Sequence, residues 1–290
     1  MIYLLIGLIL GPSFLKLIPS TDFVQTLGHL GAIVMLFIIG LEFKIKDIFN
    51  LRYTTIALFG VIVPWIGGFL TAHAFGFDFA NSVFTGTALT ATSIAITASV
   101  LKDMGKLQTG TAKAIIGAAV IDDILGLLAL SLSGQIVGAT FSFTTMFTSL
   151  SIVGAFLSGI FLRNILGSQT KIIHYFYVIS SSIFFISLGI LVDIHIITPA
   201  VFWFMSVLTI VAILTKVVGC FLPAKWQGLS FKDAAIVGFG MSPRGEVAMI
   251  VGLIGLNQNL ITHEIYAAII FMSLITTIVT PIVLRNWLYK

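Results

Sequence analysis

A chain of 290 residues that is 58% hydrophobic and 9% charged cannot clothe a water-facing surface, since soluble domains carry roughly 25% charged residues. A mean hydropathy of +1.14 and recurring apolar stretches of roughly 20 residues indicate a polytopic α-helical membrane protein, whose first partner is lipid. The formal charge of +4 comes from basic residues spread among short loops, so no nucleic-acid partner is expected.

Ten segments follow in chain order: 2–18, 26–41, 53–76, 82–101, 114–137, 145–162, 172–192, 199–221, 233–256 and 264–284. The first opens directly on Ile2-Tyr3-Leu4-Leu5-Ile6, without the basic region of a cleavable signal peptide. The fourth carries Thr87-Ala88-Leu89-Thr90-Ala91-Thr92-Ser93, and the fifth carries Asp122 and Asp123 inside an otherwise apolar run. The eighth holds Lys216 and the single Cys220, which excludes an intramolecular disulfide and reads as a small core residue. The ninth holds Gly238-Phe239-Gly240-Met241-Ser242-Pro243-Arg244-Gly245. Across all segments, 27 glycines point to close helix approach and to broken helices.

The loops alternate in charge. One set holds Lys44, Lys46, Arg52, Lys102, Lys106, Lys113, Arg163, Lys171, Lys225, Lys232, Arg285 and Lys290. The other holds Asp22, Asp78, Asp193 and Glu264, with Lys16 nearby. Positive loops stay cytoplasmic, so both termini are predicted inside. Segments 53–76, 82–101 and 114–137 then run in the opposite sense to 199–221, 233–256 and 264–284, the pattern of an inverted-repeat transporter. The middle helix of each unit carries breaker chemistry, hydroxyl-rich in the first and centred on Pro243 in the second. Both are predicted to be interrupted near the midplane and to cross there, presenting freed carbonyls and hydroxyls to an ion. Thr90, Thr92 and Ser93 are the ion-path candidates, although such residues also pack helices or back-bond to their own carbonyls.

Asp122, Asp123, Glu246, Lys216 and Arg244 remain at membrane depth, where unpaired charge is costly. Adjacent helical residues point about 100° apart, so the two aspartates face different surroundings. One lines a cavity while the other turns toward a neighbouring helix, where Lys216 is the natural partner. The bland alternative has Lys216 snorkelling to the cytoplasmic interface. Two carboxylates at close range do not both ionise cheaply without a cation, so a small monovalent cation and protons compete for one site. The oxygen ligands suit a hard monovalent cation of unfixed size, with Asp123 and Asp122 as the metal-ion ligands; no histidine or cysteine accompanies them to favour a transition metal. Pro243, Arg244 and Glu246 sit at the second break, where the two charges either line the ion path or pair structurally. His29, His73, His174, His195 and His263 show no metal-binding spacing.

Seven short motifs then carry a resemblance: Leu10-Gly11-Pro12-Ser13, Leu36-Phe37-Ile38-Ile39-Gly40-Leu41-Glu42, Thr90-Ala91-Thr92-Ser93, Ile121-Asp122-Asp123, Gly154-Ala155-Phe156-Leu157-Ser158-Gly159, Phe184-Phe185-Ile186-Ser187-Leu188-Gly189 and Pro243-Arg244-Gly245-Glu246-Val247. In this order they resemble the monovalent cation:proton antiporter-2 family, particularly its sodium/proton antiporters. The resemblance implies an all-α inverted-repeat antiporter fold with two crossed broken helices. A core (53–137 and 199–285) would move elevator-fashion against a scaffold (1–52 and 145–195) that also forms a homodimer. It implies that Asp123 carries the ion and proton, that Asp122 is bridged to Lys216 when no sodium is bound, and that the double aspartate goes with electrogenic exchange. The family usually has one more helix before the Leu-Gly-Pro-Ser motif and two more between the Asp-Asp helix and the Gly-Ala-Phe-Leu-Ser-Gly motif, so this form is shortened.

The resulting expectation is a plasma-membrane Na+/H+ antiporter, not an enzyme, with no cofactor and no nucleotide domain after Lys290. The competing readings are a K+/H+ antiporter, a cation channel whose acids form a selectivity ring, and a non-transporting shortened remnant.

Overall fold

In lipid, helices gain little by hiding one apolar side chain from another, so small residues mark the faces that pack. Helix α3 (Leu51–Ala74) shows this plainly. Its Ala57, Gly60, Pro64, Gly68 and Ala72 are buried, while Leu58, Ile62, Ile66 and Leu70 form an exposed stripe at every fourth residue. Helix α9 (Pro199–Trp226) repeats the arrangement, with Ile210, Leu214, Val218 and Leu222 outward and Leu208, Ala212, Lys216 and Gly219 inward. The two helices lie along each other.

The computed structural model describes residues 2–42, 51–106, 108–137, 154–163 and 171–289, all helix, turn or loop with no strand among them. In chain order the other helices are α1 (Ile2–Leu10), α2 (Asp22–Glu42), α4 (Phe79–Ala88), α5 (Ile94–Asp103), α6 (Gly110–Ile136) and α7 (Gly154–Arg163). They continue with α8 (Lys171–Leu191), α10 (Phe231–Gly240), α11 (Glu246–Asn257) and α12 (His263–Val283), the last running into a wider turn, Leu284–Leu288. The loop around Lys44 and Lys46, the start of the sixth expected segment and Lys290 lie outside the described residues.

Among the described residues, four helices are long and apolar enough to cross a membrane: Leu51–Ala74, Gly110–Ile136, Pro199–Trp226 and His263–Leu288. The expected segments 82–101 and 233–256 are each two half-helices, separated at residues 89–93 and 241–245. The first expected segment is also shorter than read from hydropathy. Pro12 has no N–H to continue the ladder, and α1 ends at Leu10 in a turn whose carbonyls at Gly7, Ile9, Leu10 and Gly11 are taken up by later amides.

Two groups of helices result. Helices α1 and α2 pack along α8. In the larger group α3 packs on α4 and α6, α9 on α10 and α12, and α11 on α4 and α12. The short link Val192–Thr198 joins the groups, pinned at its start by Ser13, whose hydroxyl donates to Val192 O at 2.6 Å and accepts from Ile194 N at 3.1 Å. Contacts between α2 and α11, and a 3.0 Å bond from the buried Tyr266 hydroxyl to Leu188 O, hold the groups together.

Candidate functional site: two helix breaks and a buried charge cluster

The first break follows from hydroxyls that compete for the helical carbonyls. Thr85, Thr87 and Thr90 donate to Asn81 O, Val83 O and Thr87 O at 2.7, 2.9 and 2.8 Å. The second follows from Pro243, which lacks an N–H and disfavours helical backbone at Ser242. Lipid offers no water to freed backbone groups, so each break must be satisfied by protein.

The two breaks satisfy each other. Ser93 N donates to Pro243 O at 2.8 Å, Thr92 Oγ1 to Met241 O at 3.1 Å and Thr97 Oγ1 to Gly240 O at 2.6 Å. In the other direction, Arg244 Nη1 donates to Ala91 O at 2.8 Å and, more weakly, to Thr90 O at 3.4 Å, while its Nη2 reaches Ala212 O at 3.1 Å. The C-terminal end of α4 is therefore capped by cationic groups, and that of α10 by neutral hydroxyls. Both ends carry the negative pole of a helix, but only the first is met by full positive charge. Gly245 touches Ser93 so closely that a Cβ there would stand 2.5 Å from Ser93 Cβ.

Asp122, Lys216 and Arg244 are wholly buried and Asp123 is 5% exposed. Lys216 reaches inward rather than to the interface: Nζ donates to Asp122 Oδ1 at 2.7 Å, to Thr90 O at 2.6 Å and to Gly60 O at 2.8 Å. That saturates all three ammonium protons. The close approach of α3 depends on Gly60, where a Cβ would lie 2.8 Å from Cys220 Sγ and 3.6 Å from both members of the ion pair. Asp122 Oδ2 and Asp123 Oδ1 are buried with no donor from the protein. Thr92 lies near enough to interact with Asp122, but its hydroxyl donates to Met241 O. Glu246, half-buried at the start of α11, accepts from Ser93 Oγ at 3.3 Å.

The fold thus brings together Asp122, Asp123, Lys216, Thr90, Thr92, Ser93, Pro243, Arg244 and Glu246. The sequence reading passed over Thr97, which caps Gly240, and Thr276 and Thr277, which bond Arg244 N and O at 3.0 Å each. Their one sequence signal is a hydroxyl within an apolar helix, which is common enough to say little by itself.

Residues 1–165 and 136–290 match the family described as sodium/hydrogen exchanger, transmembrane. The chain belongs to the sodium/hydrogen exchanger family. It is 29% identical to the Na+/H+-K+ antiporter GerN of Bacillus cereus, over 97% of this chain and 88% of that protein. It is likewise 29% identical to an Na+/H+ antiporter of Enterococcus hirae, over 99% of this chain and 91% of that one. Among solved structures, the sodium proton antiporter MjNhaP1 of Methanocaldococcus jannaschii shares the fold, with a TM-score of 0.64 at 17% identity, covering 99% of this chain and 89% of that one. The family consists of membrane transporters, not enzymes. The alignment to the Bacillus protein spans 340 positions for 97% of a 290-residue chain, so several dozen positions have no residue here.

Proposed function

We propose that this exchanger exports or imports Na+ in exchange for H+ at Asp123 and Asp122. The observation that carries the reading is the Lys216–Asp122 pair beside Asp123, with an unpartnered oxygen on each carboxylate, at the meeting of two broken helices. A monovalent cation entering between the aspartates supplies the missing partner for both oxygens. It also competes with Lys216 for Asp122 and with a proton for Asp123. Two protons displaced by one Na+ would make the exchange electrogenic, one leaving Asp123 and one leaving Lys216 once its partner is taken. Thr90, Thr92 and Ser93 line the approach, and Pro243 keeps the second break open.

The matching packing of α3 on α4 and α6 and of α9 on α10 and α12 supports two inverted repeats whose broken helices cross. In this reading the chain crosses the plasma membrane about ten times, with both termini cytoplasmic. The grouping of α1, α2 and α8 apart from α3–α6 and α9–α12 supports a scaffold (1–52 and 145–195) and a core (53–137 and 199–285). The core would carry the site across by an elevator movement, and the scaffold would form a homodimer even in this shortened chain.

In proteoliposomes with a pH dye, a Na+ gradient is expected to drive proton movement that Asp123→Asn abolishes. Exchange that survives Asp123→Asn sinks the reading, and indifference to membrane potential overturns the two-proton stoichiometry. Because a relative is an Na+/H+-K+ antiporter, K+ is the favoured second substrate. Competition among Na+, Li+ and K+ in the same vesicles decides it.

A further inference from the structure

Tyr266 joins the two helix groups by a directional bond. It lies in the first turn of α12, wholly buried, with its ring against α11, where a Cβ on Gly252 would stand 3.4 Å from Tyr266 Cδ2. Its hydroxyl crosses the seam and donates to Leu188 O at 3.0 Å, near the C-terminal end of α8. The last carbonyls of a helix lack amide partners from a following turn. Here Val192 N donates to Gly189 O at 3.3 Å, and the phenol of Tyr266 serves Leu188 O.

Leu188 is held by its own group. Around it α8 fits tightly to α1: a Cβ on Gly189 would stand 2.1 Å from Leu4 O, and one on Gly7 2.1 Å from Ile186 O. Beyond it Ser13 holds Val192 O at 2.6 Å and Ile194 N at 3.1 Å. Leu188 therefore stays with α1, as Tyr266 stays with α11. Elsewhere the seam is carbon against carbon. At Gly28 of α2 a Cβ would lie 3.1 Å from Ser187 Cβ and 3.4 Å from Leu253 Cδ2. Contacts of that kind are non-directional and can be remade as helices slide. A hydrogen bond is lost beyond about 3.5 Å, so a relative shift of about 1 Å breaks the one at Tyr266.

We propose that the bond from Tyr266 to Leu188 is a latch: it favours the conformation seen here over the others of the transport cycle, and it must open for the core to move. The proposal rests on the elevator reading. Opening it leaves a buried hydroxyl and a carbonyl unpaired, which biases the equilibrium between conformations and leaves the ion ligands untouched. A purely structural tie is distinguishable. It would support the fold in every conformation alike, so its loss would lower stability without shifting their populations.

The test uses the full chain with Cys220→Ala and with spin labels on Phe23→Cys in α2 and Phe79→Cys in α4, both exposed positions on opposite sides of the seam. Pulsed electron resonance in lipid nanodiscs reads the label distance across pH and Na+, and Tm in detergent is followed beside it. Two distance populations are expected, one of them matching this structure. Tyr266→Phe keeps the ring and removes the donor. It should lower the ratio of the matching population to the other by about three- to tenfold, as loss of one net hydrogen bond implies. Tyr266→4-aminophenylalanine, a weaker donor, should give an intermediate ratio. An unchanged ratio in Tyr266→Phe, even with a lowered Tm, overturns the proposal. If Tyr266→Phe does not fold, an unchanged ratio in Tyr266→4-aminophenylalanine overturns it instead. A single distance in the unlatched and parent chains under every condition fails the elevator reading and the latch together, whereas two populations indifferent to Tyr266 fail the latch alone.

Discussion

Lys216 Nζ lies 2.7 Å from Asp122 Oδ1, with neither side chain exposed, and its other two protons go to Thr90 O and Gly60 O. One ammonium therefore ties α3, the first break and α6 to α9. Replacing it by alanine leaves a wholly buried carboxylate unpaired and two carbonyls without donors. Lys216→Ala is expected to cost about 3–5 kcal/mol, read as a large fall in Tm in detergent. The paired replacement Asp122→Asn with Lys216→Met should recover much of that stability without restoring exchange. Equal damage in the single and paired variants would show that the pair itself is not the source.

Thr97 and Thr92 cap the same helix end, but at 2.6 Å and 3.1 Å. Valine keeps the shape of threonine and removes the donor. Thr97→Val should therefore destabilise by about 1–3 kcal/mol, as expected for a buried carbonyl left unmade. Thr97→Ser, which keeps the hydroxyl, should lose much less. Thermal unfolding of the three proteins side by side checks the order.

Gly245 permits the contact between the breaks. A methyl at that position would stand 2.5 Å from Ser93 Cβ and 2.7 Å from its Oγ, too close for either to remain in place. Gly245→Ala is expected to destabilise by about 1–3 kcal/mol through overpacking. Ser93→Gly in the same chain removes the obstructing atoms and should return part of the loss. A purely additive double variant would place the strain elsewhere.

On the link between the two helix groups, the Asp193 carboxyl is held below its ordinary range, first by the His195 backbone N–H. A depressed carboxylate contributes stability that is present above its unfolded pKa and is lost as pH falls through the folded one. Its contribution should persist at neutral pH and fade only below about pH 4. The side chain is 40% exposed, so the effect is small and salt-sensitive. Melting curves of wild type and Asp193→Asn, compared from neutral pH downward, should differ slightly at neutral pH and converge in acid.

Cys220 is wholly buried against α3, with its thiol beside Gly60. A maleimide should leave it unlabelled until the α3–α9 contact opens. Labelling at the rate of an exposed thiol in native protein would contradict that packing.

The helical class was legible because lipid demands internally satisfied backbone, and the breaks and buried charges because each violates what lipid tolerates. Asp122, Asp123, Lys216, Arg244 and Glu246 stand out in apolar runs, and Pro243 cannot continue a helix. The extent of α1 was not legible, since Phe14-Leu15-Lys16-Leu17-Ile18 is apolar enough to extend it, yet the backbone turns after Leu10.

Composition and local chemistry thus determined that the chain lies in lipid, where its helices are interrupted and which side chains need partners there. Only the tertiary structure decided which partner each received. By sequence Lys216 had the lesser alternative of reaching the interface, and Arg244 that of pairing with another helix. Packing α3 against α9 through Gly60 and Gly219 brought one cation to Asp122, while the paired breaks gave the other to carbonyls. Hydropathy counts how much charge is buried. Which charge meets which is set by distances between residues far apart in the chain, and those exist only once the helices have packed.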